Sequence, residues 1–285
     1  MKRQRQKGLA LITVLLVMAL LTLLVAGMLH SHRLLLGSVA QQLEATRLLR
    51  LAQAGEQQAL ASLRGEVGEI LQVTHGRQGW GQPRVLTLGE GRVQLQLEDL
   101  AGRFNLGALT AGKTPDPLLL ERWQRLCHAL QVAPPALEAL AGQPLLDPTQ
   151  LRALPGVTAE VMARLQPWVV VLPKEARLNI NTAPARLLAA LAELSPAVAA
   201  DLVRQRPEAG YPTVERFLAS AQLEGVGVNR RGLAVTSRWF RLEVQAQQAG
   251  RRMYLYSDLE IDLNTHQVRV VRRVFTAMRE RRADE

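Results

Sequence analysis

Few residues of this sequence have the types and spacing that bond-making chemistry requires. The one cysteine, Cys127, lies in LLLERWQRLCHAL, where Leu119, Trp123, Leu126 and Leu130 fall on one side of a helical pattern. A lone thiol in that setting is a buried structural residue, and no internal disulfide is possible. The histidines His30, His32, His75, His128 and His266 are scattered. Only His30 and His32 lie close together, and two residues apart on a helix they do not share a face. No Ser/His/Asp set, phosphate-binding loop or carboxylate pair in a plausible cleft is legible, so the sequence argues against an enzyme, and no catalytic or metal-binding residue is expected.

The remaining chemistry would be backbone chemistry. LRALPGVTAEVMARLQPWV reads as helix, Pro-Gly hairpin, helix, and LNINTAPARLLAALAELSPAVAADLVRQRPEAGYPTVERFLAS reads similarly, with Thr182 placed to cap a helix starting at Ala183-Pro184. Both resemble helix-hairpin-helix units, which bind DNA phosphates through helix N-terminal N–H groups. Close backbone approach favours Gly-apolar-Gly in such hairpins. Here Pro155-Gly156-Val157-Thr158 lacks its second glycine, and Glu193-Leu194-Ser195-Pro196 has none. Gly225-Val226-Gly227 has the pattern but a weak apolar helix around it. Helical packing units without phosphate contacts are the simpler reading. The chain's net charge of +10 permits contact with nucleic acid or anionic lipid but is met equally by a solvated basic surface.

These pieces need elements to hold them. Leu9 to Leu29 is an apolar run of 21 residues with only Thr13 and Thr22 polar. As a helix it covers about 30 Å, one hydrocarbon core. A cleaved secretory signal has a shorter apolar region, and Val25-Ala26-Gly27 is only a weak cleavage site. A buried core helix would have a polar face, which this run lacks. Lys2, Arg3, Arg5 and Lys7 precede the run without an acid, which puts the N-terminus in the cytoplasm and the rest of the chain across the membrane. Without a proline, the helical rhythm continues through residues 34–64, broken only by Gly37 and Gly55, with Gln41, Gln42, Glu44, Arg47, Arg50, Glu56 and Gln57 available to water.

The apolar face of that second half needs a sheet. RVLTLGEGRVQLQLEDL reads as a hairpin turning at Gly89-Glu90-Gly91, with Val93, Leu95 and Leu97 alternating against Gln94, Gln96 and Glu98. Alternation returns only near the end. Phe240, Leu242, Val244 and Ala246 share a face, as do Met253, Leu255, Leu259 and Ile261, and QVRVVRRVF adds Val268, Val270 and Val274. Short connections make these three an antiparallel meander. Residues 107–236 show no alternation, only short helices punctuated by Pro and Gly. The expected class is therefore α+β. A pilin-like long N-terminal helix packs on an antiparallel sheet, and a large all-helical domain, SAM-like or helix-hairpin-helix-like, is inserted in that sheet.

Taken in order, these residues resemble the K-type minor pseudopilin family of bacterial type II secretion, the general secretion pathway protein K family. KGLALITVLL resembles a prepilin-peptidase leader, LEDLAGRFNLGAL the family's strand with its Gly-Arg-Phe-Asn-Leu motif, and LNINTAPARLLAAL its Asn-Ile/Val-Asn-Thr-Ala segment. LVRQRPEAGYPTVERFL, followed by strands and a basic tail, resembles its C-terminal half, so the likeness covers nearly the whole chain. The resemblance implies a leader at 1–8, cleavage between Gly8 and Leu9, and N-methylation at Leu9. It implies a transmembrane stretch at 9–29, the amphipathic helix and first strands at 30–106, the inserted helical domain at 107–236, the C-terminal strands at 237–276 and a tail at 277–285.

It implies a non-enzymatic subunit of the inner membrane and periplasm, placed at the pseudopilus tip with minor pseudopilins I and J, then H, with the major pseudopilin G below. Prepilin peptidase and the inner-membrane assembly platform are the further implied partners, and no nucleic acid is expected. Most pilin-like subunits carry a glutamate at the fifth residue after the cut, which pairs with a neighbour's N-terminal ammonium. Here that residue is Thr13, which suits a terminal subunit. Related proteins often bind calcium through a longer acidic loop in the insert. The corresponding stretch LEALAGQPLLDPTQLRALPG offers only Glu138 and Asp147, so no calcium site of that type, and no cofactor, is expected. The alternative is a membrane-anchored helix-hairpin-helix protein of DNA uptake.

Overall fold

The computed structural model describes residues 6–112, 114–140 and 145–277. The first basic residues Lys2, Arg3 and Arg5 and the tail from Met278 lie outside them. Helix α1, Gln6–Ile70, is one uninterrupted element of 65 residues, as expected of a run without proline. Its part up to Leu51 and the body from Ala52 onward form two compact units.

Within the body, the end of α1 presents Ala52, Ala59, Leu60, Leu63, Val67 and Ile70 at helical spacing, all buried. The sheet has five strands: β1 (Arg84–Leu88), β2 (Gly91–Asp99), and the C-terminal meander β7 (Trp239–Gln248), β8 (Arg251–Ile261) and β9 (Val268–Ala277). Every neighbouring pair is antiparallel, in the order β1-β2-β7-β8-β9. Across one face, Leu97, Leu242 and Ser257 align, as do Leu95, Val244 and Leu255, and Val93, Ala246 and Met253. Gly55 sets how close the helix comes. A Cβ there would lie 2.5 Å from Val93 Cγ1 and 3.2 Å from Val244 Cγ1. This is the physical reason for a glycine inside a helix that otherwise disfavours it.

Two expectations are corrected. Glu56 does not face water; it is 1% exposed and turned onto the sheet, where Ser257 donates its hydroxyl hydrogen to it and Arg273 Nε donates to its two oxygens at 2.9 and 3.0 Å. A buried carboxylate is tolerated because that pair satisfies it. In β9 the register slips beside Asp258/Leu259, so Val270 pairs with Leu259 and Val274 with Tyr256. The extra residue puts Val274 on the opposite face from Val268 and Val270, an inversion that a bulge produces and alternation alone does not reveal.

Between β2 and β7 lies the inserted domain. It contains helices α2 (Gly107–Thr110), α3 (Pro117–Ala129), α4 (Ala159–Leu165), α5 (Ala185–Ala189), α6 (Pro196–Arg204) and α7 (Val214–Leu218). Their core includes Leu106, Leu109, Trp123, Leu126, Cys127 and Phe217. The fold class agrees with the sequence reading, with one addition. Two parallel two-residue pairs, β3 (Phe104–Asn105) with β4 (Val169–Val170) and β5 (Leu178–Asn179) with β6 (Leu233–Ala234), tie the insert together. Two residues are too few to show a period.

Gly55 and Gly65 give opposite expectations within one helix. Alanine gains about 1 kcal/mol over glycine in a helix interior, while overpacking a tight contact costs about 1–3 kcal/mol. Gly65 has no atom within 4 Å of a Cβ. Gly65→Ala should therefore raise the melting temperature of the full chain and Gly55→Ala lower it, as followed by circular dichroism.

Candidate functional site

Gly8 and Leu9 lie in the opening turns of α1, and Thr13 lies one turn after Leu9 with its side chain exposed. The segment Leu11–His30 is long and apolar enough to cross a membrane, and all of its side chains are exposed. Gly8, Leu9 and Thr13 thus all lie on α1, at or near the start of its apolar stretch.

The motif residues of the body meet elsewhere, at the joint where the chain leaves the sheet and returns. Asp99 ends β2 and is 4% exposed. Its Oδ1 accepts from the Ala101 N–H at 2.9 Å. Its Oδ2 accepts from Asn179 Nδ2 at 2.8 Å and from the Thr182 hydroxyl at 2.6 Å. Ser237, just before β7, is a further hydrogen-bond partner. Asn179 Nδ2 also donates to the Thr74 carbonyl at 3.0 Å, while the Ser237 N–H donates to the Thr74 hydroxyl at 2.8 Å. Both ends of the insert and its middle therefore converge on one carboxyl group, and the segment just after α1 joins them through Thr74, which bonds Asn179 and Ser237. Burial pushes the Asp99 carboxyl above the usual range, while the bonds from Ser237, Thr182, Asn179 and Ala101 pull it back.

Neighbouring motif residues repeat the theme. Asn181 Oδ1 accepts from the Tyr211 N–H at 2.7 Å and its Nδ2 donates to the Tyr211 carbonyl at 3.0 Å, so one side chain serves as a strand partner. Asn105 Oδ1 accepts from the N–H groups of Gly107 and Leu172, both at 2.9 Å. Gly102 is a glycine because a Cβ would sit 2.9 Å from Thr182 Oγ1. The expected cap at Thr182 is corrected here. Helix α5 begins at Ala185 with Pro184 before it and no side-chain cap, and the Thr182 hydroxyl is spent on Asp99 instead. The motifs do not reveal this joint by themselves; its trace in the sequence is a cluster of short polar residues inside otherwise apolar segments.

Cys127 is fully buried, its thiol pushed up to about 12 by burial, as expected of a structural residue. At the two hairpins, the Thr158 hydroxyl accepts from Val161 N–H and the Ser195 hydroxyl from Val198 N–H, both at 3.3 Å, so each first turn is capped within the chain. Asp147 caps the 3-10 turn Pro148–Ala153. It accepts from Thr149 N–H at 2.9 Å and from the Thr149 hydroxyl at 2.6 Å, and it pairs with Arg272. Desolvation raises its carboxyl, but these bonds and the Arg272 guanidinium leave it below the usual range. An oxygen facing a guanidinium is a poor calcium ligand. No group of three or more His, Cys, Asp or Glu able to hold a metal exists among the described residues, and the side chain of Glu138 lies outside them.

A long helix, apolar where it begins and seated where it ends on an antiparallel sheet split by a helical insert, defines a pilin-like subunit with a membrane-compatible stem. Two family models, both described as type II secretion system (T2SS), protein K, match residues 131–174 and 178–236. The chain is 30% identical to the type II secretion system protein K of Klebsiella pneumoniae, with 83% of this chain and 86% of that protein covered. It is 29% identical to the protein of the same name from Pseudomonas aeruginosa, with 90% of each covered. Its fold is similar to a chain in the crystal structure of the GspK-GspI-GspJ complex of the enterotoxigenic Escherichia coli type 2 secretion system. The TM-score is 0.72 at 24% identity, with 84% of this chain and 99% of that chain covered. The chain belongs to the protein K family of the type II secretion system, and is a minor pseudopilin of that machinery.

Asp99 allows a test with a sign. A carboxyl whose folded-state pKa is raised favours the fold below its unfolded value, and that contribution is lost as pH rises through the folded value. The Thr182 hydroxyl bonds best to the ionised form. Thr182→Val should therefore cost about 1–3 kcal/mol at neutral pH, where a buried acceptor loses its donor, and distinctly less in acid. Thr182→Ser should restore most of the loss, as read from denaturant melts of the full chain at both pH values.

Proposed function

We propose that this chain caps the periplasmic pseudopilus, assembling with the minor pseudopilins I and J above H and the major pseudopilin G, and so supports export of folded proteins across the outer membrane. Prepilin peptidase cuts between Gly8 and Leu9 and methylates Leu9. The mature chain then stands in the inner membrane by residues 9–29, with its C-terminal body in the periplasm, until the assembly platform moves it into the filament. It catalyses nothing.

The observation that carries this reading is Thr13, and not a carboxylate, at the fifth position of a rod without a charged residue from Leu9 to Leu29. A filament subunit with neighbours on both sides gains from a carboxylate at that position, because the carboxylate neutralises the next subunit's buried ammonium. A subunit without it lacks one half of that pair and belongs where one neighbour is missing. The insert at 107–236 supports the same place: a domain of that size on a pilin-like sheet takes up space that a subunit stacked beyond it would need. The neighbour of similar fold was crystallised as a complex with GspI and GspJ, which supports I and J as the partners. No observation at the capped hairpins favours DNA.

Mass spectrometry of the membrane-extracted chain should show loss of residues 1–8 and one methyl group on Leu9. Co-purification should recover I- and J-type subunits. Immunogold labelling should mark filament ends; labels repeated along the shaft would refute the tip assignment. Because Asp147 is engaged by Arg272 and Thr149, added calcium should leave the melting temperature unchanged, and a calcium-dependent rise would overturn that expectation.

A further inference from the structure

The inserted domain carries a cleft of about 310 Å³. Its floor is apolar, with Leu119, Leu178, Leu187 and Leu191 among the lining residues. Its charged lining comprises Asp116, Arg122, Lys174, Glu175, Arg177 and Arg231. Both carboxylates already have partners. Asp116 lies 2.6 Å from Arg231 Nη2, and Glu175 lies 3.6 Å from Arg238 Nη2.

Three cations are left without a carboxylate among the described residues. Lys174 and Arg177 are exposed. Arg122 is 3% exposed; its Nη1 and Nη2 donate to the carbonyls of Arg231 and Asn229 at 2.8 and 2.6 Å, and its Nε has no partner. Burial, Arg125 and Arg231 lower its pKa to about 10, so it is charged at neutral pH. Asp116 and Glu121 lie near enough to oppose that shift, but among the described residues neither forms a salt bridge with Arg122, whereas buried charges are normally paired directly.

We propose that this cleft binds a polypeptide segment presenting a carboxylate beside an apolar side chain. The carboxylate lies against Lys174 and Arg177, with the Arg122 charge behind them, and the apolar side chain lies against Leu187 and Leu191. The size suits side chains: pockets for whole small molecules run from about 300 to 1,000 Å³, and this cleft is at the bottom of that range. The cations outnumber the carboxylates in the lining, so the cleft draws an anion, and the leucines beside them favour an organic carboxylate over inorganic phosphate, which has nothing to place against Leu187 and Leu191. This goes beyond the assembly role and does not depend on it.

The test uses the full-length chain in non-ionic detergent and two fluorescein-labelled peptides with blocked ends, Gly-Leu-Glu-Leu-Gly and its Glu→Gln counterpart. Fluorescence anisotropy should show the glutamate peptide binding about tenfold or more tighter than the glutamine peptide, with affinity falling as salt rises. The double variant Lys174→Glu/Arg177→Glu should lose about tenfold or more of that affinity while keeping its melting temperature, since both side chains are exposed. Ala108→Trp, which adds bulk to the cleft wall, should also block binding. Equal affinity for the two peptides, full affinity in the double variant, no binding at millimolar peptide, or displacement by inorganic phosphate as effective as by unlabelled peptide would each overturn the proposal. Recovery of I- and J-type subunits is scored separately, so failure of the cleft and failure of the tip assignment are distinguishable.

Discussion

Strand β2 ends at Asp99 and its partner β7 begins at Trp239, so the sheet exists only if the chain leaves it and comes back in register. Loop-closure entropy grows slowly, by about 0.6 kcal/mol for each doubling of length, which is why a whole domain can sit in that connection. The demanding part is local. Where the chain departs and returns, backbone and side chains must be buried without losing their hydrogen bonds. The structure meets this with one carboxylate whose donors come from Ala101 just after departure, Asn179 and Thr182 in the middle of the insert, and Ser237 just before return. The carboxyl group is costly to bury without these partners, and its bonds are complete only when all of these passes are in place, so the joint ties the fold of the insert to closure of the sheet.

The helix presents two surfaces to two solvents. From Leu11 to Leu29 its large apolar side chains are exposed, a surface suited to lipid or to other apolar rods and costly in water. From Ala52 onward, one face is used within the chain. There Gly55 lets the helix lie against Val93 and Val244, and the next residue, Glu56, reaches Ser257 and Arg273. Close approach and a buried glutamate held by Ser257 and the exposed Arg273 fix both the distance and the rotation of that helix segment on the sheet, because neither contact survives a turn of the helix about its axis.

The insert adds a different kind of surface. Its helices are short and individually weak, and caps at Asp116, Thr158, Ser195 and Thr213 start four of them. What holds them is a common core around Trp123 and the two-residue strand pairs.

Much of this was legible from residue order. The apolar run from Leu9, the proline-free continuation, the alternation of Val93, Leu95 and Leu97 and of Phe240, Leu242 and Val244, and the punctuated stretch between them are periodic signals, and periodicity reports which face of an element is buried. Those signals determined the long helix, the split sheet and the insert. They could not determine which residues meet across the chain. Thr182 has the local signature of a cap and instead serves a carboxylate 83 residues away. Glu56 has the signature of a solvated position and instead bonds a serine 201 residues away. A one-residue bulge turned Val274 to the other face. Each of these is decided by long-range burial, because the cost of an unpaired polar group appears only when tertiary packing removes water from it.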